Sequence, residues 1–252
     1  MTDATEPVQG PHPGHPEDGG PRVVVDRARY RRTEPTFARA VARALGDARD
    51  VLDLGAGQVP YLPSGRAVTD AGDPSSGLPY ADDAFDAAVA AFVLAGWTDP
   101  ARGLAEVRRV TRGPVVLLVR DPERVAGHWL AEYAPEVVAA DARRWPTLDQ
   151  VAAALGGEVE TTRLPVPFTC VDGFWEAYTG RPERLLDPGV RAADPAWSRV
   201  DDLAARRAVA ALRTALESGA WDDRHGVLRR QPAHDGSVVL VRADRSRPTR
   251  PA

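Results

Sequence analysis

The chain has 252 residues, which is enough for one large α/β domain, and its 43% hydrophobic and 27% charged residues are typical of a globular protein. A net charge of −4 gives no electrostatic reason to expect nucleic acid or an anionic membrane as partner. The single cysteine, Cys170, excludes an intramolecular disulfide and a cysteine-built zinc site, and the absence of lysine excludes Schiff-base chemistry.

Both ends of the sequence are predicted to be disordered tails. Residues 1–21 are rich in proline, glycine and histidine with almost no large apolar side chains, and residues 246–252 are typical of a frayed end. The sequence starts without the basic and apolar pattern of a signal peptide, and its longest apolar runs are shorter than a membrane span. We therefore expect a cytoplasmic protein with one folded region over residues 22–245.

The first half of the chain alternates between helical and strand patterns. In chain order the patterns predict a helix over Thr36–Leu45, a strand from Asp50 into Gly55, a strand within Ala87–Leu94, a helix over Pro100–Val110 and a strand over Pro114–Val119. Apolar residues at three- and four-residue spacing indicate the helices, and short apolar runs indicate the strands. This alternation is typical of an α/β fold with a doubly wound, mostly parallel sheet.

The second half of the chain is mostly helical. The patterns predict helices over Arg124–Ala134, Thr147–Leu155 and Asp201–Ser218, and strands over Glu158–Val166 and Gly236–Arg242. The last two strands lie far apart in the sequence. Residues 168–234 are therefore predicted to form a helical insertion before the final strand.

A glycine turn, Gly55-Ala56-Gly57, follows the first strand. Glycine lets a backbone approach a ligand closely, and ligands of open α/β sheets bind at the carboxyl ends of strands. Pro60 and Pro63 oppose the long helix that a dinucleotide site needs after its glycines, which argues against NAD and FAD. A purely structural turn is the alternative interpretation.

Three segments resemble, in the right order, the motifs of class I S-adenosylmethionine-dependent methyltransferases, most of all their ubiquinone-biosynthesis-type (type 11) subfamily. They are Val51-Leu52-Asp53-Leu54-Gly55-Ala56-Gly57, Leu78-Pro79-Tyr80-Ala81-Asp82-Asp83-Ala84-Phe85-Asp86-Ala87-Ala88-Val89 and Leu104-Ala105-Glu106-Val107-Arg108-Arg109-Val110. The resemblance extends from Tyr30 to about Asp121. It implies a Rossmann-like methyltransferase fold, S-adenosylmethionine as cofactor and methyl transfer to a small-molecule substrate.

The resemblance also implies which residues contact the cofactor. Asp53 and the turn Gly55-Ala56-Gly57 correspond to the part of the family that contacts the methionyl end, and Asp70 to the carboxylate that binds the ribose hydroxyls. Tyr30 and Arg31 resemble an N-terminal aromatic-basic element that closes over the methionine. A guanidinium can pair with a carboxylate there, although an exposed, basic helix entry is the alternative.

The substrate side is less defined by the sequence. Trp175, Tyr178 and Trp129 are candidates for apolar walls, and Cys170 and Asp172 are the polar candidates beside them, although aromatic residues at helical spacing are more often core. The segment Ala95-Gly96-Trp97 offers no general base where relatives often carry polar residues. Methyl transfer does not require one, because in-line positioning can drive the reaction.

The sequence departs from the family in two places. Val59 stands where a third glycine is usual, and its β-branched side chain resists positive φ. Residues 71–84 are too few for a helix and a further parallel strand, and they include Gly72, Pro74 and Gly77. We therefore predict that one edge βα unit is lacking, that Ala67–Thr69 is an edge strand and that residues 71–84 form an irregular loop.

These departures keep a second interpretation open. A protein with this fold and a reduced cofactor cleft could be a non-catalytic descendant that binds a partner or another ligand. A hydrolase or nuclease is disfavoured, because the sequence has neither a nucleophile elbow nor acids clustered with histidine.

Overall fold

The computed structural model describes residues 27–55 and 61–245. The two predicted tails, together with Ala56, Gly57 and Val59, lie outside the described residues. The strands are β1 (Asp50–Asp53), β2 (Ala67–Asp70), β3 (Ala87–Ala91), β4 (Val115–Arg120), β5 (Glu158–Arg163), β6 (Val166–Pro167), β7 (Ala233–His234) and β8 (Val238–Asp244). The helices are α1 (Arg27–Tyr30), α2 (Pro35–Leu45), α3 (Pro100–Val110), α4 (Pro122–Ala126), α5 (Pro135–Ala142), α6 (Leu148–Leu155), α7 (Pro188–Ala192), α8 (Asp202–Glu217) and α9 (Ala220–His225).

Six of these strands form one sheet in the order β2-β1-β3-β4-β8-β5. The strands β2, β1, β3 and β4 are parallel, β8 is antiparallel to β4, and β5 is antiparallel to β8. β6 and β7 pair separately as a short antiparallel ribbon. The predicted doubly wound, mostly parallel α/β fold is confirmed.

Helices cover both faces of the sheet. On one face α3 and α6 bury Leu104 and Val151 in a cluster with strand residues such as Leu117. On the other face α2 buries Phe37 beneath its first turn, in a cluster with strand residues such as Leu118. Every residue of β4 is buried, as expected for a strand covered on both sides, which explains its continuous apolar sequence.

Local capping sets the ends of the three helices that pack on the sheet. Asp99 accepts a hydrogen bond from the Arg102 amide and caps α3, and Thr147 and Gln150 form a reciprocal capping box at α6. α2 ends at Gly46, whose φ of 56° is accessible to glycine at no steric cost. The helices were predicted from apolar spacing, and these caps explain where each of them begins or ends.

β2 is an edge strand, as predicted. Its residue Val68 is 46% exposed, whereas its register partner Val51 on β1 is fully buried. Between β2 and β3 the chain forms a loop with one 3₁₀ turn, Pro74–Ser76, and no strand. The predicted absence of an edge βα unit is therefore confirmed for this stretch, and residues 61–66 before β2 contain no helix either.

Two of the sequence motifs meet at this loop. Glu106 of α3 accepts a hydrogen bond from the Leu78 amide at 2.8 Å and pairs with Arg109 at 2.6 Å. Arg109 donates in turn to the Tyr80 carbonyl at 2.9 Å. The Leu78-Pro79 and Leu104–Val110 motifs therefore hold a structural contact that closes the loop over α3.

The predicted helix over Arg124–Ala134 is wrong. α4 ends at Ala126, and after Gly127 the chain forms a separate 3₁₀ turn, Trp129–Glu132. His128 sets this break, because its Nδ1 accepts the Leu130 amide at 3.0 Å and its Nε2 contacts the Thr179 hydroxyl at 2.8 Å. A contact with a residue 51 positions away therefore overrides the helical spacing.

The predicted strand over Glu158–Val166 is divided in two. β5 ends at Arg163, and Val166 instead pairs with His234 in the β6–β7 ribbon. This ribbon closes the base of the predicted insertion, since Phe168 follows β6 directly.

Among the described residues, no helix is both long and apolar enough to span a membrane.

The insertion packs with α4 and α5 around its own core. Trp175, Leu185 and Trp221 are fully buried there. Neighbouring residues of this core include Val125 of α4 and Leu212 of α8. This second core stands beyond the carboxyl ends of β3 and β4 and holds the roof of the site described next.

Candidate active site

Two carboxylates stand side by side at the carboxyl edge of the sheet. Asp53 and Asp70 are the register partners that end β1 and β2, so their side chains project from the same face. Asp53 accepts a hydrogen bond from the Gly55 amide at 2.9 Å. Burial raises the pKa of Asp53, and the negative charge of Asp70 acts in the same direction. The hydrogen bond from Gly55 lowers this pKa, but by less, so the pKa is raised. The predicted residues Asp53, Gly55 and Asp70 thus lie together at this edge of the sheet.

This acid pair can serve a ligand. Asp70 is exposed at the rim, and neither Asp53 nor Asp70 forms an ion pair with an arginine among residues 27–55 and 61–245. Two carboxylates without a cation suit hydroxyl donors or a positively charged group. The predicted contacts of Ala56 and Gly57 lie outside the described residues and stay predictions.

Arg31 is held by the insertion. Its Nε forms an ion pair with Asp172, the Asp172 Oδ2 accepts a hydrogen bond from Tyr61 at 2.7 Å, and the Gly173 amide donates to the Tyr30 carbonyl at 2.9 Å. Burial alone would lower the pKa of Arg31, but Asp172 outweighs it and the pKa is raised. The guanidinium predicted to face a cofactor carboxylate is therefore engaged by a carboxylate of the protein.

An aromatic group lies beside this ion pair. The ring of Phe92, directly after β3, is 5.9 Å from the ring of Tyr61 and 5.7 Å from that of Phe174. Phe92 has a φ of 57°, a left-handed conformation that costs energy for a residue other than glycine. Such strain is common at ligand sites. The sequence contained no signal that predicted a left-handed conformation at Phe92.

A cavity of about 70 Å³ lies next to these rings, at the carboxyl ends of β3 and β4. Its lining comes from segments far apart in sequence: Arg27, Arg31, Tyr61, Ala91, Phe92, Ala95, Arg120, Asp141, Arg144, Trp145, Phe174, Asp194 and Pro195. The strands supply the floor, and the insertion supplies the roof through Phe174, Asp194 and Pro195. Carboxyl ends of parallel strands are the usual ligand position in this class of fold.

Arg120 anchors the roof to the sheet. It is the last residue of β4, and it forms buried ion pairs with Asp141 and, at 2.6 Å, with Glu176. Its guanidinium also lies 4.5 Å from the centre of the Trp175 ring. Burial alone would raise the pKa of Glu176, but the charge of Arg120 holds that pKa well below its usual range.

Asp194 is a second acid at the cavity. Its oxygens accept hydrogen bonds from the Trp175 amide at 2.6 Å and the Ala196 amide at 2.8 Å. Burial raises the pKa of Asp194, and the negative charge of Asp141 raises it further. An acid with a raised pKa is a candidate for accepting a proton from a ligand. Sequence reasoning missed it, since Asp194 belongs to no motif.

The residues predicted to contact substrate lie behind the cavity. Trp175 is fully buried and donates to Asp141 at 2.7 Å, and Tyr178 packs in the core of the insertion. Asp172 forms an ion pair with Arg31. Cys170 is buried in the core on the α2 face of the sheet, and this burial raises the pKa of its thiol. The 3₁₀ turn Trp175–Tyr178 points inward because these side chains fill the second core. Phe174, which precedes Trp175, lines the cavity in place of the aromatic residues that were predicted as its wall. Trp129, the third of those residues, packs against Trp221 in the core of the insertion.

A larger groove adjoins the cavity and has a volume of about 770 Å³. It runs between the start of α3 and α6, and its apolar walls include Trp97, Leu104 and Ala154. The groove and the cavity share Ala95, Arg144 and Trp145. These three residues therefore form the partition between the two, and Trp97, from the segment that offered no general base in the sequence, lines only the groove.

Known proteins give matches to this fold. Residues 52–119 match the model of a methyltransferase domain family of type 11. A solved structure from Anabaena variabilis, provisionally described as a methyltransferase from an antibiotic biosynthesis pathway, has 19% identity, covers 86% of this chain and 99% of its own, and superposes with a TM-score of 0.73. No curated protein matches the sequence.

Two further solved structures are more distant. The YcgJ protein of Bacillus subtilis has 16% identity over 84% of this chain and 99% of its own, with a TM-score of 0.45. An S-adenosylmethionine-dependent methyltransferase of Thermotoga maritima has 14% identity over 84% and 88%, with a TM-score of 0.43. The Anabaena likeness bears on the fold, and the domain match bears on the family. Residues 52–119 therefore match a methyltransferase domain, and the fold of the chain is that of the Anabaena structure.

Proposed function

We propose that this protein transfers a methyl group from S-adenosylmethionine to a small-molecule acceptor bound at the cavity. The observation that carries the proposal is the position of the cavity. β1 and β3 are neighbours, so the acid pair at the end of β1 and β2 and the cavity at the end of β3 and β4 lie along one edge of the sheet. Cofactor and acceptor can then approach from opposite sides of the Tyr61 and Phe92 rings.

The described residues fit the cofactor. Asp70 can accept hydrogen bonds from ribose hydroxyls, and the carboxylate of Asp53 lies against the backbone of Gly55, where an added Cβ would come within 3.1 Å of the carboxylate. When bound, the cofactor supplies a methyl group on a positively charged sulfur. The carboxylates of Asp53 and Asp70 would hold the cofactor, and their negative charge would favour a cationic ligand at this edge of the sheet.

The chain's other residues position the acceptor and exclude water. Phe92 and Phe174 present apolar rings to the cavity, and the insertion closes it from above. Asp194 can take the proton that an oxygen or nitrogen acceptor loses, because its raised pKa makes it a stronger base than an ordinary aspartate. The main contribution of the site is to hold the nucleophilic atom of the acceptor in line with the bond that breaks between the sulfur and the methyl group.

Calorimetry with S-adenosylmethionine and S-adenosylhomocysteine tests the proposal. We expect binding of both, weakened relative to complete relatives, because the lacking edge unit removes one wall of the adenine pocket. Absence of heat and of a thermal shift at millimolar ligand would instead favour a non-catalytic protein of this fold. The engagement of Arg31 by Asp172 is the observation that keeps this second candidate open.

A further inference from the structure

Two of the four arginines that line the cavity form short ion pairs with carboxylates of the protein. Arg31 is neutralised by Asp172, and Arg120 by Asp141 and Glu176. Arg27 and Arg144 also line the cavity. Among residues 27–55 and 61–245, Arg27 forms no ion pair, and Arg144 reaches a carboxylate only at long distance.

Arg144 is the better placed of the two remaining cations. Its Nε donates to the Ala95 carbonyl at 3.2 Å, which orients the guanidinium along the partition between cavity and groove. Its Nη1 lies 3.9 Å from Asp141, at the outer limit of an ion pair. Asp141 already accepts hydrogen bonds from Arg120 and from the Trp175 and Trp145 indoles.

The surroundings of Arg144 leave its charge poorly compensated. The side chain is only 17% exposed, and within the described part of the chain its two terminal nitrogens donate no hydrogen bond. Burial lowers the pKa of Arg144, and the positive charge of Arg199 lowers it further. An oxyanion bridging the terminal nitrogens would satisfy these donors in the two-pronged geometry that a guanidinium favours.

The groove on the other side of Arg144 has a different chemistry. Trp97, Leu104, Trp145 and Ala154 give it an apolar wall, and its volume of about 770 Å³ is in the range of small-molecule sites. The cavity, at about 70 Å³, has room for a carboxylate-sized group and little more. A ligand that uses both spaces is therefore apolar at one end and anionic at the other.

From this arrangement we infer that the methyl acceptor is an amphipathic monocarboxylic acid. Its carboxylate is bound by Arg144, with Arg27 as the second cation, and its apolar body lies in the groove between α3 and α6. This inference rests on the proposed function, which supplies the cofactor side of the same edge.

The test titrates 3-phenylpropanoate and 3-phenylpropanamide into the full-length protein, with and without S-adenosylhomocysteine. We expect the acid to bind about tenfold or more tightly than the amide, since the amide cannot form the charged pair. Arg144→Gln should abolish this preference, Arg144→Lys should retain part of it, and Arg27→Gln should reduce it a few-fold. Arg163→Gln is the matched control, because Arg163 is an exposed residue of β5 that lines neither the cavity nor the groove.

The outcomes separate the two proposals. Equal binding of acid and amide, or an unchanged preference in Arg144→Gln protein that still binds S-adenosylhomocysteine, would overturn the acid site while the methyltransferase proposal stands. Tighter binding of 3-phenylpropyl phosphate than of the acid would contradict a monoanion. Failure to bind S-adenosylhomocysteine would overturn the proposed function. The titration of the acid and the amide in the absence of S-adenosylhomocysteine would then show whether the carboxylate site exists. Thermal melts confirm that each variant is folded.

Discussion

Arg31 and Asp172 lie 141 positions apart in the sequence and form a buried ion pair. Arg31 belongs to the N-terminal segment that the family resemblance assigns to the cofactor, whereas Asp172 belongs to the insertion. Tyr61, from the loop after β1, donates to the other oxygen of Asp172. Three segments therefore meet at one carboxylate, and this contact joins the roof of the cavity to the cofactor side of the sheet.

Replacement of Asp172 should destabilise the protein. Asp172→Asn removes the charge that compensates the buried Arg31, and we expect it to lower the free energy of unfolding by about 3 kcal/mol. Urea denaturation at neutral pH measures this difference. Asp223→Asn, an exposed residue of α9, is the control. Equal stability of the two variants would show that the ion pair contributes nothing to the fold.

Replacement of Asp70 should affect the cofactor and not the fold. Asp70 is exposed at the end of an edge strand, so Asp70→Asn leaves the core intact. Loss of a charged acceptor for the ribose hydroxyls should weaken S-adenosylmethionine binding by about tenfold. Calorimetry measures the affinity, with Asp47→Asn at the amino end of β1 as the control. An affinity that stays at the native level would remove Asp70 from the cofactor site.

The loop motif predicts a pH dependence. Hydrogen bonding from Arg109 lowers the pKa of Glu106 to about 2, and the Leu78 amide contributes in the same direction. A lowered carboxyl pKa stabilises the fold above the unfolded value of about 4.5, and this contribution is lost as the pH falls towards about 2. The stability difference between the native protein and Glu106→Gln should therefore shrink over this range.

Denaturation curves at several acidic pH values test that prediction. Glu123→Gln is the control, since Glu123 is exposed in the first turn of α4. Its stability difference from the native protein should stay constant with pH. A constant difference for Glu106→Gln as well would mean that its carboxylate does not depend on Arg109.

His128 predicts a second pH dependence at higher pH. Burial lowers its pKa to about 3, so the folded protein keeps it neutral while the unfolded chain takes up a proton below about 6.5. The fold should therefore lose up to about 1.4 kcal/mol per pH unit from this group as the pH falls from about 6.5 towards 3.

The variant His128→Gln removes this titration but keeps a polar side chain near Thr179. Its stability should fall less steeply than that of the native protein between pH values of about 7 and 5. His12→Gln, in the predicted N-terminal tail, should follow the native curve. If His128→Gln also follows it, the buried histidine does not govern the acid sensitivity.

Local physics made much of the fold predictable. Apolar spacing located α2, α3 and α6 to within about one residue, because helical periodicity is a local property of the sequence. The lacking edge unit followed from length alone, since residues 71–84 cannot hold a helix and a strand. The family resemblance predicted that Asp53, Gly55 and Asp70 lie together, and the structure places them at one edge of the sheet.

The tertiary structure alone decided which residues line the cavity. Arg144, Asp194 and Phe92 line one cavity although no local pattern links them, and the turn after Phe174 points Trp175 away from it. His128 broke a helix that its own neighbours favoured, through a contact with Thr179. The physical reason is the same in each case: periodicity and caps act over one or two turns, whereas burial and charge pairing depend on which distant segments come together.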